Sequence, residues 1–194
     1  VENFLKGHAR SRAVVENYNS SSSFYNRKVF DNYQERHTVW SLSELLGFSD
    51  FIDFYSFYYR YFQLKCEYTP HFDSVRRLRN AAAHNACMLC NLKPQNWFKA
   101  DIEINFELLG ANLGIGNGVI SSCLKVPVLN DFAVMLSNYT KLVSSPKVKE
   151  KTFEEMKEFF DGRMVLHKDY FENIPEIKNA YAFARSVLNY YAGK

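Results

Sequence analysis

Between positions 75 and 89 apolar side chains recur at helical spacing. Val75, Leu78, Ala82, Ala86 and Leu89 fall on one stripe of a helical wheel, and the run Ala81-Ala82-Ala83 favours the helical state. The pattern predicts a helix over Val75–Met88, capped by Asp73 or Ser74. Asn80 and His84, four positions apart, share the face opposite the stripe. Upstream, Thr38 is placed to cap a helix over Val39–Leu46 that stops at Gly47. Ser49 is placed to cap a long aromatic helix over Asp50–Lys65. Phe51, Tyr55, Tyr58 and Phe62 make one of its stripes, and Phe54, Phe57 and Tyr61 the other. A helix with two apolar faces is expected in the centre of a bundle or at an interface. Thr69-Pro70-His71 reads as a hinge, because the residue before a proline is pushed out of the helical region.

The remaining pattern is weaker. Val1–Asn17 reads as a polar helix docked by Phe4, Leu5, Val14 and Val15; Asn17–Ser23 reads as a loop, and Phe24–Arg36 holds a short helix. Residues 92–100, with Pro94, read as a loop whose Trp97-Phe98 tucks back onto the core. Ile102, Ile104 and Phe106 alternate with charged and polar residues and predict a short strand. Gly110–Gly118 lacks the Lys-Ser/Thr of a phosphate-binding loop and reads as a flexible connection. Asn130–Leu142, Thr152–Phe160 and Ile174–Tyr191 are amphipathic helices, with Thr152 and Glu155 spaced as a capping box. The sum is an all-α bundle of about six to eight helices in one domain over 1–194.

Composition changes this picture little. The chain has 194 residues, enough for one core or two small ones. Its aromatic content, 16%, is high. Tyrosines on an exposed helix could stack bases, but core packing and a dimer seam are the expected use. A net charge of +3 permits RNA binding without demanding it. No apolar run approaches the roughly 18 residues of a membrane span, and no charged start followed by an apolar core marks a signal peptide. A cytoplasmic protein is expected. The chain starts at Val1, and a further N-terminal piece is expected ahead of it. Cysteines at 66, 87, 90 and 123 do not resemble a disulfide framework and are expected to be reduced. Cys87 and Cys90 form C-x2-C, but within the predicted helix. A zinc knuckle places that pair in a turn, so neither metal nor cofactor is expected. His8, His37, His71 and His167 lack a setting like that of His84 and are expected to be surface or structural residues.

Arg79-Asn80-x-x-x-His84 resembles the R-x4-H signature of HEPN domains. Its context, R-N-A-A-A-H-N, resembles the Abi-like (AbiD/AbiF type) abortive-infection proteins of bacteria. His37–Phe48, with Trp40, Glu44 and Gly47, is similar to that family's helix before the motif, and the likeness spans residues 36–92. The resemblance implies a HEPN-like bundle and a metal-independent endoribonuclease. Such an enzyme cuts RNA by attack of the 2′-hydroxyl on the adjacent phosphate. Arg79, Asn80 and His84 would be its catalytic residues, with two protomers pairing their motif helices into a composite site. It also implies phage defence of the abortive-infection or toxin-antitoxin kind, an RNA substrate, a homodimer and an inhibitory antitoxin as partner, and no membrane. Arg76 and Arg77 are expected to bind RNA. On the wheel Arg77 lies closer to His84 than Arg79 does, but about 10 Å away along the axis, so Arg79 is preferred as the catalytic arginine. The alternative is a non-catalytic HEPN-like module that binds RNA or a protein partner. A third reading is a structural dimer joined through the aromatic helix.

Overall fold

The computed structural model describes residues 1–16, 27–33, 36–65, 69–166 and 168–194. Among them the chain is all-helical, with eleven α-helices, one π-helical turn, one 3-10 turn and no strand. The helices outnumber the six to eight expected because one predicted helix breaks in two and two unforeseen helices form. The chain divides into two compact units, Val1–Phe72 and Asp73–Lys194. The stretch 36–92 runs across that boundary. The predicted loop Asn17–Ser23 lies outside the described residues.

The N-terminal unit holds α1 (Glu2–Gly7), α2 (Ala9–Glu16), α3 (Arg27–Tyr33), α4 (Val39–Leu45) and α5 (Phe48–Tyr61). The predicted first helix breaks at His8, whose backbone leaves the helical region (φ −121°, ψ 87°). Its Nδ1 then accepts the Ser11 backbone N–H at 3.4 Å, the bond an N-cap makes to the third helical residue. Phe4, Val15, Phe30, Leu42, Leu45 and Phe54 form the core of this unit. Thr38 caps α4 as expected. Its Oγ1 accepts from the Ser41 N–H at 3.1 Å while the Ser41 Oγ accepts from the Thr38 N–H at 2.8 Å. The N-cap of α5 is Gly47, with Ser49 already in the first turn. The helix stops at Tyr61, short of the predicted Lys65, because Gln63 turns left-handed (φ +54°). The Gln63 and Leu64 N–H groups close on the Arg60 and Tyr59 carbonyls at 3.2 and 2.8 Å, a Schellman ending.

Helix α6 (Thr69–Ala83) begins at Thr69, so Pro70 is a first-turn residue and not a hinge. The first turn has no intrahelical use for the N–H that proline lacks. Asp73 and Ser74 therefore sit within the helix instead of capping it.

The C-terminal unit continues with α7 (Ile102–Gly110), α8 (Asn117–Leu124), α9 (Pro127–Leu142), α10 (Pro146–Glu158), a π-helical turn over Phe159–Arg163, a 3-10 turn over Lys168–Phe171, and α11 (Pro175–Ala192). Each of the last three α-helices has proline in its first turn, where its preset φ helps nucleation. Thr152 is therefore mid-helix, and its Oγ1 takes a hydrogen bond from the Tyr139 hydroxyl at 2.8 Å rather than capping a terminus. Helix α11 packs on α8, α9 and α10. Its Phe183, Val187 and Leu188 meet Ile120, Val134 and Leu136 in one core.

The predicted strand is α7. Asp101 caps it, accepting the Ile104 N–H at 3.0 Å, and donates its own N–H to Asn130 Oδ1 at 2.9 Å. Once capped, the segment buries Ile104 and Leu108, four residues apart, and turns Ile102 and Phe106 outward. Trp97 does not tuck in either: it is 74% exposed, and Leu92 fills the core from that loop. Gly114 takes a positive φ (+70°) in the connection before α8, a conformation glycine adopts freely. No single helix among the described residues is long and apolar enough to cross a membrane.

The pair Ile104 and Phe106 tests the helix. On a strand both would face one side, and truncating either would cost alike. The structure instead expects Ile104→Ala to cost about 2–5 kcal/mol and Phe106→Ala less than about 0.5 kcal/mol, as read from urea unfolding.

Candidate functional site

Helix α6 ends where its backbone carbonyls find new partners. The His84 N–H still makes a helical bond to Asn80 O at 3.0 Å. The Asn85 N–H then bonds Ala82 O at 3.2 Å and the Ala86 N–H reaches Ala81 O at 2.9 Å, with Asn85 at φ +50°. This is a Schellman motif. Asparagine occupies its left-handed position, which among non-glycine residues it tolerates well. The predicted continuation to Met88 is thus corrected. Ala86, Cys87, Met88 and Leu89 lie beyond the helix and are exposed, so the five-residue apolar stripe does not exist. Cys87, Met88 and Leu89 instead line an apolar groove of about 710 Å³ with Phe132, Met156 and Phe159.

Three arginines stand on the helix, and the fold treats them differently. Arg77 is clamped: its Nε donates to Asp131 Oδ2 at 2.7 Å and its Nη2 to Asp131 Oδ1 at 2.6 Å and to Ser74 Oγ at 3.0 Å. The Asp131 carboxylate is 4% exposed, the guanidinium half-exposed. That hydrogen-bonded pair holds Arg77 more firmly protonated than a free guanidinium, against the opposing pull of burial. The arginine expected to grip RNA therefore ties α6 to α9, with its Nε and Nη2 committed to Asp131 and Ser74. Arg76 pairs with Asp73 one turn earlier, at 2.7 Å. Arg79 differs. Its Nη1 donates to Asn80 Oδ1 at 3.1 Å, at the exposed surface, and among the described residues it has no carboxylate partner. His84 is exposed at the helix cap, and its ring makes no hydrogen bond among the described residues.

Arg79, Asn80 and His84 thus occupy the last turn of α6 and its cap, open to solvent. The amide of Asn80 steadies the Arg79 fork, leaving other N–H groups to hold an oxyanion in a bidentate grip. An imidazole such as that of His84 can give or take a proton. One chain supplies one of each.

Cys87 and Cys90 are free and exposed. Contrary to expectation they sit in a turn, closed by the Cys90 N–H on Cys87 O at 3.3 Å. Among the described residues no three His, Cys, Asp or Glu side chains gather as a metal site would need.

The sequence reading missed Asp131, an acid buried in an apolar stretch of α9, and a polar cluster in the N-terminal unit. There Arg10 Nε donates to Asp50 Oδ1 at 2.7 Å, Ser11 Oγ lies 2.8 Å from His8 Nδ1, and His8 Nε2 lies 3.4 Å from Asp53 Oδ2. The order serine, histidine, aspartate invites a catalytic reading. Ser11 is fully buried, however, and its hydroxyl also reaches Asp50 at 3.5 Å, so the cluster ties α2 to α5. The only legible signal for it was Asp50 and Asp53 three apart on an aromatic helix. His71 is buried, His37 is half-buried with its pKa lowered by burial, and His167 lies outside the described residues. Compared with family models, curated proteins and solved structures, the chain matches none.

The two paired arginines should separate on truncation. Arg77→Ala leaves Asp131 buried without its partner, at an expected cost of about 1–3 kcal/mol after allowing for the half-exposed guanidinium. Arg76→Ala removes an outer ion pair and should cost less than about 1 kcal/mol. Thermal unfolding of the two variants side by side checks this. Equal shifts would show that the clamp is not holding α6.

Proposed function

We propose that this chain is a HEPN-like endoribonuclease of the Abi-like kind, cutting RNA without a metal through Arg79, Asn80 and His84. The observation that carries the reading is the sorting of the arginines. Of three on α6, the one spaced for R-x4-H has no acidic partner among the described residues and stands with its histidine at an exposed helix end.

The chemistry has three requirements. A base takes the proton of the 2′-hydroxyl as its oxygen attacks the adjacent phosphorus. An acid protonates the departing 5′-oxygen. Positive charge stabilises the phosphorane between these steps. A histidine can serve as base or acid, and an arginine, charged throughout, can only stabilise. One motif holds one histidine, so two protomers supply the pair, with one His84 as base and the other as acid. Their Arg79 forks grip the nonbridging oxygens. The products are a 2′,3′-cyclic phosphate and a free 5′-hydroxyl. An RNase of this kind harms its own cell, which fits a role in abortive infection or a toxin-antitoxin pair, held in check by a protein inhibitor until phage attack.

Labelled single-stranded RNA incubated with the protein in EDTA tests the proposal. Cleavage leaving cyclic-phosphate ends is expected. RNA retained but uncut would mean a binding module only, and neither result would leave a structural dimer. His84→Ala should abolish cutting with no change in melting temperature, since an exposed ring leaves no cavity. Arg79→Ala, and also Arg79→Lys, should slow cutting about 100-fold or more at saturating RNA. Mass in solution should be that of a homodimer, and a monomer that still cuts would defeat the composite site.

A further inference from the structure

Cysteine is among the residue types most often buried in folded proteins. Cys123 follows that habit. Its Sγ faces the Asn179 carbonyl at 3.8 Å, and burial pushes its thiol up to about 11, so little thiolate forms. Cys87 and Cys90 depart from it, for both thiols are free and exposed. They are also the first and last residues of one hydrogen-bonded turn, with the Cys90 N–H on Cys87 O at 3.3 Å. A turn of this kind brings its end Cα atoms within about 7 Å. A disulfide spans Cα atoms about 4.4–6.8 Å apart. Both cysteines line a single pocket of about 290 Å³, which also holds Trp97 and the Arg77–Asp131 pair. Exposure makes the thiols reachable, the turn brings their backbones into range, and the shared pocket opens them to one reagent.

We propose that Cys87 and Cys90 are a redox couple, converted between dithiol and intramolecular disulfide by exchange with a small-molecule disulfide such as oxidised glutathione. One thiolate attacks a sulfur of the reagent, forming a mixed disulfide and expelling one thiolate of the small molecule. The second cysteine, as thiolate, attacks the protein sulfur of that mixed disulfide and expels the other. Two protein thiols are oxidised, and the two protons they lose pass through solvent to the two expelled thiolates, so the reagent ends as two thiols. A small dithiol reverses the sequence. The inference is independent of the RNase reading, since it needs neither RNA nor His84.

The test equilibrates the whole purified chain in glutathione mixtures of rising oxidised fraction, quenches exchange with acid, and then traps all free thiols with an alkylating agent in denaturant before trypsin digestion. Lys93 precedes Pro94 and resists cleavage, so one peptide, Asn80–Lys99, carries both cysteines and neither Cys66 nor Cys123. The expected result is a form of this peptide with no alkyl group and two hydrogen atoms lighter. It should grow with the oxidised fraction and revert with dithiothreitol, while Cys123 stays fully alkylated. Cys90→Ser should stop at a glutathione adduct on Cys87, and Cys87→Ser at one on Cys90. The proposal is overturned if the wild-type peptide keeps both alkyl groups in mixtures that load the single variants. It is overturned equally if both cysteines carry glutathione without a link, if the link forms only between chains, or if neither single variant takes an adduct.

Discussion

The left-handed backbone of Asn85 decides what α6 can present. A helix that ran on to Met88 would hold Cys87 within its last turn and His84 in its interior turns. The Schellman closure over Ala81 and Ala82 satisfies the last carbonyls internally, so the chain can leave the helix one residue past His84. Its consequence is an imidazole at an open terminus and a separate turn holding two thiols. The exposed imidazole and the thiol turn both follow that one change of backbone hand.

The second constraint is the buried carboxylate of Asp131. An acid so nearly enclosed needs a cation, and the bidentate fork of Arg77 supplies it with good geometry on both oxygens. That pairing fixes α6 against α9 and commits one arginine to an acid. Asp73 occupies a second. What is left for a ligand is Arg79, steadied among the described residues by the amide beside it. Electrostatics within the fold have thereby selected one arginine from three close neighbours of the same charge.

The aromatic helix α5 shows a comparable division of labour. Phe54 is buried in the N-terminal core and Phe57 packs against it, while Phe57 stacks on Tyr61 at 5.5 Å and Tyr58 meets Phe62 at a tilt at 4.8 Å. Tyr61 and Phe62 end the ladder exposed. Core packing therefore accounts for the inner part of the aromatic pattern and leaves the outer part on the surface. The two stripes on the wheel were legible, but which rings would be buried was not.

Periodicity and capping chemistry by themselves determined that this chain is helical, where α4 starts, and that α9, α10 and α11 exist. These signals are local: a threonine spaced for a cap, and apolar residues spaced by a turn or so. The R-x4-H spacing was likewise visible in the sequence, because Arg79 and His84 lie only five positions apart. Local pattern failed where two short-range readings competed. Ile102-Glu103-Ile104 alternates like a strand, and only the Asp101 cap with its N–H anchored on Asn130 makes it a helix. The end of α6 was misread because asparagine's tolerance of the left-handed region competes with the helix preference of the alanines before it. The tertiary structure alone decided which arginine an acid from another helix claims, because Asp131 lies 54 positions beyond Arg77. No spacing rule along the chain registers a partner that only folding brings within 3 Å.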